Sequence, residues 1–317
     1  MTPPRPTLLY YDPIFLEHDP GPHPESPQRL RQTLEHLGKL QLVDRCHQTP
    51  WKPATREQLS RVHCREYVAT VREFAASGGG RIEADTVVSG KSYEGALMAT
   101  GAVCDAVARV VQAEANRALC LVRPPGHHAL PSAAMGFCLW NHCAVAAAAA
   151  TVEHQIDRVL IVDWDVHHGN GTQDIFWQSE RVAFFSIHRW PFYPGTGQRD
   201  ETGSGRGLGT TCNVPLPYGT SRQAYLQHFT SALERMAAQH RPQLILLSAG
   251  FDAHHADPIG SLGLEVEDFQ ILTERVLEIA NVYAGGRIIS MLEGGYHPQA
   301  LAECVAVHLQ ALLEHEG

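Results

Sequence analysis

Residues 158–172 read RVLIVDWDVHHGNGT. Val159 to Val162 form an apolar, largely β-branched run of strand length. Asp163, Trp164, Asp165, Val166 and His167 follow before Gly169 and Gly171 open a loop. A run this short and apolar reads as a strand buried on both faces, the kind found in parallel sheets with helices on either side. Side chains alternate along extended backbone, so Asp163, Asp165 and His167 fall on one side and Trp164 and Val166 on the other. Two carboxylates and an imidazole at the end of a buried strand repel and desolvate one another unless a cation or hydrogen-bond donors compensate. The stretch therefore predicts both the centre of a sheet and a site.

Outward from it the same alternation recurs. Strands are expected over residues 7–11, 118–122, 182–187, 211–214, 243–247 and 287–291, and helices over 65–76, 92–115, 141–154, 221–240, 265–283 and 298–313. A helix carrying Leu30, Leu34 and Leu37 on one face is expected to begin with Ser26 as its cap and Pro27 at its first position, and Thr55 to cap a short one. Strands alternating with helices argue for an α/β fold, a mainly parallel β-sheet covered by helices on both faces. HisHis, AspTrpAsp, SerIleHis, AlaGlyPheAsp and GluGlyGlyTyr each follow a strand. Ligands of such sheets bind beyond the carboxyl ends of the strands.

The chain has 317 residues, 44% of them hydrophobic and 19% charged, and no linker-like segment interrupts it, so residues 1–317 are expected to form a single domain. No apolar run is long enough for a membrane span, and the opening MTPPRPTLLYYD lacks the basic and apolar regions of a signal peptide; a cytoplasmic location is expected. Eight cysteines without a C-x-x-C pair read as reduced thiols. A net charge of −9 disfavours direct nucleic-acid binding and tolerates a basic peptide.

Asp165 and His167 make half of a metal site, and Asp252, which leaves an apolar strand in LLSAGFDAH, is the natural third ligand. Two carboxylates and an imidazole suit zinc with an open coordination position, with iron(II) as the rival. His127 and His128, in RPPGHHAL, offer an imidazole to move a proton between water and a leaving group. Asp163 and Asn170 are available to hold the two rings, and a carboxylate raises the pKa of its histidine more than an amide does. Tyr296, in MLEGGYHP, follows two glycines and offers a phenol to a developing oxyanion. Phe137, next to Gly136 in MGFC, and Tyr193, in PFYPGTG, are candidates for the walls of an aromatic channel, though each is as readily a core residue.

In this order, RPPGHH, GFC, DWDVHHGNGT, PGTG, AGFDAH and EGGY, with HPESPQRL before them, resemble the histone deacetylase family, which also includes acetylpolyamine amidohydrolases and acetoin utilisation proteins. The resemblance spans nearly the whole chain. It implies the arginase/deacetylase fold, zinc on Asp165, His167 and Asp252, and His128 as general base and acid with His127 as its electrostatic neighbour. It further implies Tyr296 as carbonyl polariser and Phe137 and Tyr193 as an acyl-lysine tunnel. A potassium ion is implied as well, held by Asp163, by backbone oxygens of Asp165 and His167, and by Ser186 and Ile187. Asn170 stands where class I members have Asp, so DWDVHHGNGT resembles the class II pattern, and Tyr193 replaces the commoner Phe. Arginases, similar in architecture, bridge two metal ions with extra carboxylates. Gly169 and His254 occupy those places here, which favours one catalytic metal.

The expected reaction is zinc-dependent hydrolysis of an Nε-acetyl-lysine side chain of a protein or peptide, releasing acetate. The enzymatic rival is acetylpolyamine hydrolysis. Polyamine-selective members of the family can carry Glu where this chain has Ile259, so Ile259 favours an acetylated peptide. A reading of another class is a non-catalytic acetyl-lysine binding protein. An oligomer is compatible with the sequence, which sets no oligomeric state.

Overall fold

The computed structural model describes residues 5–315. The first four residues of the amino-terminal stretch read above, and residues 316–317, lie outside the described residues. The chain runs β1 (Thr7–Tyr10), α1 (Gln28–Lys39), α2 (Arg56–Leu59), α3 (Arg65–Ala76), β2 (Gly79–Arg81), β3 (Val87–Ser89), α4 (Ser92–Val111) and β4 (Arg117–Cys120). It continues through α5 (His142–Val152), β5 (Val159–Asp163), α6 (Asn170–Phe176), β6 (Val182–Arg189), β7 (Thr211–Leu216), α7 (Arg222–His240), β8 (Leu244–Ala249), α8 (Val266–Ala284), β9 (Ile288–Leu292) and α9 (Pro298–Glu314).

Seven strands form one sheet in the order β1-β4-β9-β8-β5-β6-β7, and every pairing in it is parallel. The strand opened by Val159 lies between β8 and β6 and is buried at every position. Helices α4 and α5 pack on each other, while α1, α9, α8 and α7 pack in succession as a second group. Such cover is what a sheet with two apolar faces requires. Asp163 is in register with Ser186 of β6 and Ser248 of β8, so the loops leaving these strands start at one level. Trp164 packs against the rings of Phe229, Phe251 and His308.

Several local expectations are corrected. Ser26 does not cap α1: Pro27 takes the cap position with no side-chain bond, and Ser26 contributes only its carbonyl, to the Arg29 N–H at 3.1 Å. The buried Glu25–Arg29 pair fixes this helix start. Helix α4 ends at Val111 because Ala113 turns left-handed at φ 63°, which drops the buried Ala115 toward β4. β7 runs on through Pro215, tolerated because β7 is an edge strand. The β2–β3 pair and α6 have no counterpart among the expected elements: three-residue strands opening on Gly79 and Gly80 carry no periodicity, and α6 starts within a glycine-bearing loop. Thr55 does cap α2, in a capping box with Gln58. All eight cysteines are free. Among the described residues no helix is long and apolar enough to cross a membrane.

Three core histidines give the fold an acid limit. Burial pushes His63 and His142 down to about 4 and His308 to about 3. His63 Nε2 accepts the Asn141 N–H at 2.9 Å and its Nδ1 donates to the Leu130 carbonyl at 3.0 Å, so a second ring proton breaks an existing bond. A folded pKa below the unfolded one means that the unfolded chain binds more protons below pH ~6.5. The stability these groups contribute is complete above that pH. It is lost as pH falls toward the folded values, by roughly 1.4 kcal/mol per pH unit for each histidine. Between about pH 7 and pH 5 the urea-unfolding midpoint of wild type is expected to fall relative to that of His308→Gln, a difference in which the other titrating groups cancel. A difference independent of pH would contradict this role for His308.

Candidate active site

Asp165 and His167 lie in the turn after β5, and Asp252 in the loop after β8. His167 Nδ1 is 3.0 Å from Asp165 Oδ1 and 3.1 Å from Asp252 Oδ2, and the three ligand-capable atoms lie within 4.8 Å of one another, all buried. Backbone donors brace both acids: Asp165 accepts the N–H groups of His167 (2.9 Å) and Gly294 (2.8 Å), and Asp252 that of Val166 (2.9 Å). Glycines leave room for them. A Cβ on Gly250 would stand 2.1 Å from Asp165 Oδ2, and one on Gly294 would stand 2.3 Å from Asp252 Oδ2.

Burial and the Asp165 charge push the Asp252 carboxyl up to about 7. Burial also opposes ionisation of Asp165, but the charges of His127 and His167 hold its carboxyl below the ordinary range. Against its own burial, His167 rises to about 9 because both carboxylates face its ring. Two acids and an imidazole aimed at one point, unable to ionise independently, are a donor set that a divalent cation relieves.

The histidine pair follows β4. His127 Nδ1 lies 2.9 Å from Asp163 Oδ2; burial disfavours its charge, yet the Asp163 and Asp165 carboxylates push it up to about 10. His128 Nδ1 lies 2.6 Å from Asn170 Oδ1, at the first residue of α6, while Asn170 Nδ2 faces Met135 Sδ at 3.3 Å. The amide oxygen is thus the acceptor, the ring proton of His128 sits on Nδ1, and Nε2 keeps its lone pair. Burial, then the charges of His127 and His167, hold His128 well below the ordinary histidine range. Two rings with centroids 4.0 Å apart are therefore set differently, one charged and one neutral.

Tyr296 is buried, with its ring edge-on to Phe137 at 5.6 Å and the Arg29 guanidinium 4.9 Å from its centroid. Tyr193, 37% exposed, stands edge-on to His128 at 5.2 Å and to His167 at 6.0 Å. Both candidate wall residues therefore border the site rather than the core. At Gly136, φ is +55° and a Cβ would stand 2.3 Å from His128 Cδ2. Phe137 itself has φ +69°, a conformation held by Thr86, whose Oγ1 accepts the Phe137 N–H at 3.0 Å, and by Asp85, which accepts the Gly136 N–H at 3.1 Å. Ile259 is half-buried in the loop after Asp252. Ser186 and Ile187 are buried in β6.

Other residues around the site did not stand out in the sequence. Glu293, the acid of EGGY, is buried; it accepts the N–H groups of Gly126 (2.7 Å) and His127 (3.2 Å) and the Ser248 hydroxyl (3.0 Å). Burial raises its carboxyl to about 7. Phe192 stacks on His167 with centroids 5.2 Å apart and 17° between planes. The places where a second metal ion would need carboxylates supply none. At Gly169 a Cβ would stand 2.2 Å from Asp163 Oδ2. His254, His255 and Glu265 do converge, but the Ala256 N–H donates to His254 Nδ1 at 3.1 Å. The ring proton of His254 is then on Nε2, 4.0 Å from Glu265 Oε2, so this nitrogen presents no lone pair to the cluster.

A parallel sheet with this strand-end cluster defines the arginase/deacetylase class of α/β folds. The model of the histone deacetylase domain matches residues 23–312. The chain is 36% identical over 322 residues to the histone deacetylase-like amidohydrolase of Pseudomonas aeruginosa, covering 95% of this chain and 84% of that protein. It is 38% identical over 323 residues to the polyamine deacetylase HDAC10 of Homo sapiens, covering 96% of this chain and 48% of that protein. The crystal structure of the HDA15 HD domain superposes with a TM-score of 0.93 at 35% identity, covering 98% of this chain and 88% of that one. The chain belongs to the histone deacetylase family.

Proposed function

We propose that this chain is a zinc-dependent deacetylase that hydrolyses the amide of an Nε-acetyl-lysine side chain in a protein or peptide, giving the free amine and acetate. The observation that carries the reading is the pairing of the Asp165, His167 and Asp252 donor set with a neutral His128 whose Nε2 is free. Two carboxylate oxygens and one imidazole nitrogen, buried and crowded enough to raise Asp252, fit zinc. When bound, zinc would polarise the amide carbonyl and acidify a water. His128 Nε2 is placed to take one proton from the attacking water and to give it to the departing amine nitrogen; the second proton of the water leaves the carboxylic acid and is taken up by the amine, so acetate and an ammonium result. His127, charged through Asp163, stabilises negative charge beside it, and the Tyr296 phenol donates a hydrogen bond to the developing oxyanion. Phe137 and Tyr193, with Gly136 allowing close approach, flank the acyl-lysine stem, and Ile259 meets it at the rim.

A potassium ion beside Asp163 is part of the proposal. Two observations support it: the Val166 carbonyl accepts the Arg189 N–H at 2.8 Å, whereas the flanking carbonyls of Asp165 and His167 accept no hydrogen bond among the described residues. The Ser186 hydroxyl donates to His188 Nδ1 at 2.9 Å, since His188 Nε2 is committed to the Gly197 carbonyl, so the Ser186 oxygen keeps its lone pairs free. With Ile187 these oxygens suit a hard cation. One catalytic domain is also proposed, because a single sheet takes β1 from one end of the chain and β9 from the other.

The rival substrate, an acetylpolyamine, has an observation of its own: the carboxylates of Asp85 and Glu83 lie near the Tyr193 phenol and raise its pKa after burial. The deciding experiment measures turnover of the zinc-loaded protein on an acetyl-lysine peptide and on acetylputrescine. The expected result is a higher kcat/KM on the peptide. Preference for acetylputrescine would move the assignment to polyamines, and activity on neither would favour a binding protein.

A further inference from the structure

We propose that Asp257 is a positioning residue that fixes Tyr296 and ties it to the rim loop at Ile259, an inference that rests on the oxyanion role given to Tyr296 above. Asp257 is 8% exposed and lies five residues beyond Asp252. Its Oδ2 accepts the backbone N–H of Tyr296 at 2.6 Å, and its Oδ1 accepts the N–H groups of Ile259 and Gly260, each at 2.9 Å. One carboxylate therefore joins the loop after β8 to the loop after β9.

The peptide unit between Gly295 and Tyr296 shows why this matters. Its carbonyl, on Gly295, accepts a hydrogen bond from Arg29 Nε at 2.6 Å, and its N–H donates to Asp257. The plane is held at both ends by charged partners, and such bonds are roughly twice as strong as neutral ones. Among the described residues no other hydrogen bond holds this plane, while Gly294 before it is tied through its N–H to Asp165 at 2.8 Å and through its carbonyl to the Phe251 N–H at 3.1 Å. Gly294 and Gly295 precede Tyr296, Gly295 has φ +120°, and the Tyr296 phenol makes no hydrogen bond among the described residues. Rotation of this plane would swing the ring that carries the phenol, so its placement depends on Arg29 and Asp257.

The other arm of the carboxylate reaches the substrate side. Gly260, held through its N–H by Asp257, accepts a hydrogen bond from Arg189 Nη1 at 3.0 Å through its carbonyl. The Arg189 guanidinium lies 4.1 Å from the Phe192 centroid, and Phe192 is the ring stacked on His167. Displacement of Ile259 by a substrate is thus transmitted to Tyr296 through one rigid group. In Asp257→Asn only one oxygen remains, and the amide N–H₂ opposes backbone donors on one of the two arms.

The test is a double-mutant cycle on zinc-loaded protein with the acetyl-lysine peptide. Asp257→Asn is expected to lower kcat by about 10–100-fold with KM changed less than about threefold, because a misplacement of roughly 1 Å costs on the order of 10² in rate. In the Tyr296→Phe background the same change is expected to cost less than about twofold, since Asp257 acts through the phenol that is already absent. Equal losses in both backgrounds would overturn the proposal and leave Asp257 a purely structural residue. Unchanged turnover in Tyr296→Phe alone would instead overturn the oxyanion role. If Asp257→Asn does not fold, Asp257→Glu, which keeps the charge and moves it by one methylene, reads the same cycle.

Discussion

His128→Ala is expected to lower kcat by about 10²–10⁴-fold, the range that a positioned general base and acid contributes, while binding of the acetyl-lysine peptide changes little. The expectation follows from the difference between two adjacent rings. His127 is held charged by Asp163 and has no free lone pair at the pH of catalysis, so it cannot replace its neighbour. His128 is neutral, commits Nδ1–H to Asn170 and keeps Nε2 free. Removing it deletes the proton carrier and leaves the metal ligands in place. Added imidazole, small enough to enter the space left by the side chain, should restore part of the lost kcat in His128→Ala and none in a metal-ligand variant. Wild-type turnover in His128→Ala would eliminate this residue as the base and with it the proposed proton path.

Much of this was legible in the sequence because the informative residues are local. Asp163, Asp165 and His167 are separated by single residues where β5 ends, so their nearness needs no knowledge of the rest of the fold. The expected strand alternation nevertheless stops at Asp163: Asp165 and His167 follow in a turn in which Asp163 and Asp165 each accept the N–H two residues on. Asp252 was legible for a related reason: the run before it is as apolar as β5, and β8 proves to be its neighbour in register. What escaped depends on partners far away in the chain. Glu293 accepts N–H groups from Gly126 and His127, more than 160 residues earlier, and nothing within EGGY announces them. Asp85 and Thr86 shape the turn at Gly136 and Phe137 from a hairpin whose strands are too short to show a period. Ser26 misled because its type suits a helix cap, whereas a buried ion pair one residue earlier decides where α1 starts. Local chemistry was readable, and long-range bracing was not.

Asp252→Asn is expected to abolish turnover and to reduce bound zinc from one per chain to nearly none, since a neutral amide replaces one of two charged ligands. Its effect on the metal-free protein should have the opposite sign. The folded pKa of Asp252 is raised to about 7 by burial and the Asp165 charge, above an unfolded value of about 3.9. A folded group that binds its proton more tightly than the unfolded one destabilises the ionised fold. This cost is absent below pH ~4, grows by about 1.4 kcal/mol for each pH unit between the unfolded and folded pKa values, and is complete above the folded one. Asparagine removes that charge and can keep the Val166 N–H bond at its oxygen, so the metal-free variant should unfold at higher urea than metal-free wild type near neutral pH. With zinc present the order should reverse once free zinc exceeds Kd by about ten-thousandfold, where binding stabilises only the wild type by about 5.5 kcal/mol, more than the roughly 4 kcal/mol that ionising Asp252 costs. Metal analysis with paired unfolding curves reads both signs. A variant that keeps its zinc and its activity would remove Asp252 from the metal site, while one that loses zinc without gaining metal-free stability would show that the contact of Asp252 with His167 outweighs its burial and its repulsion from Asp165.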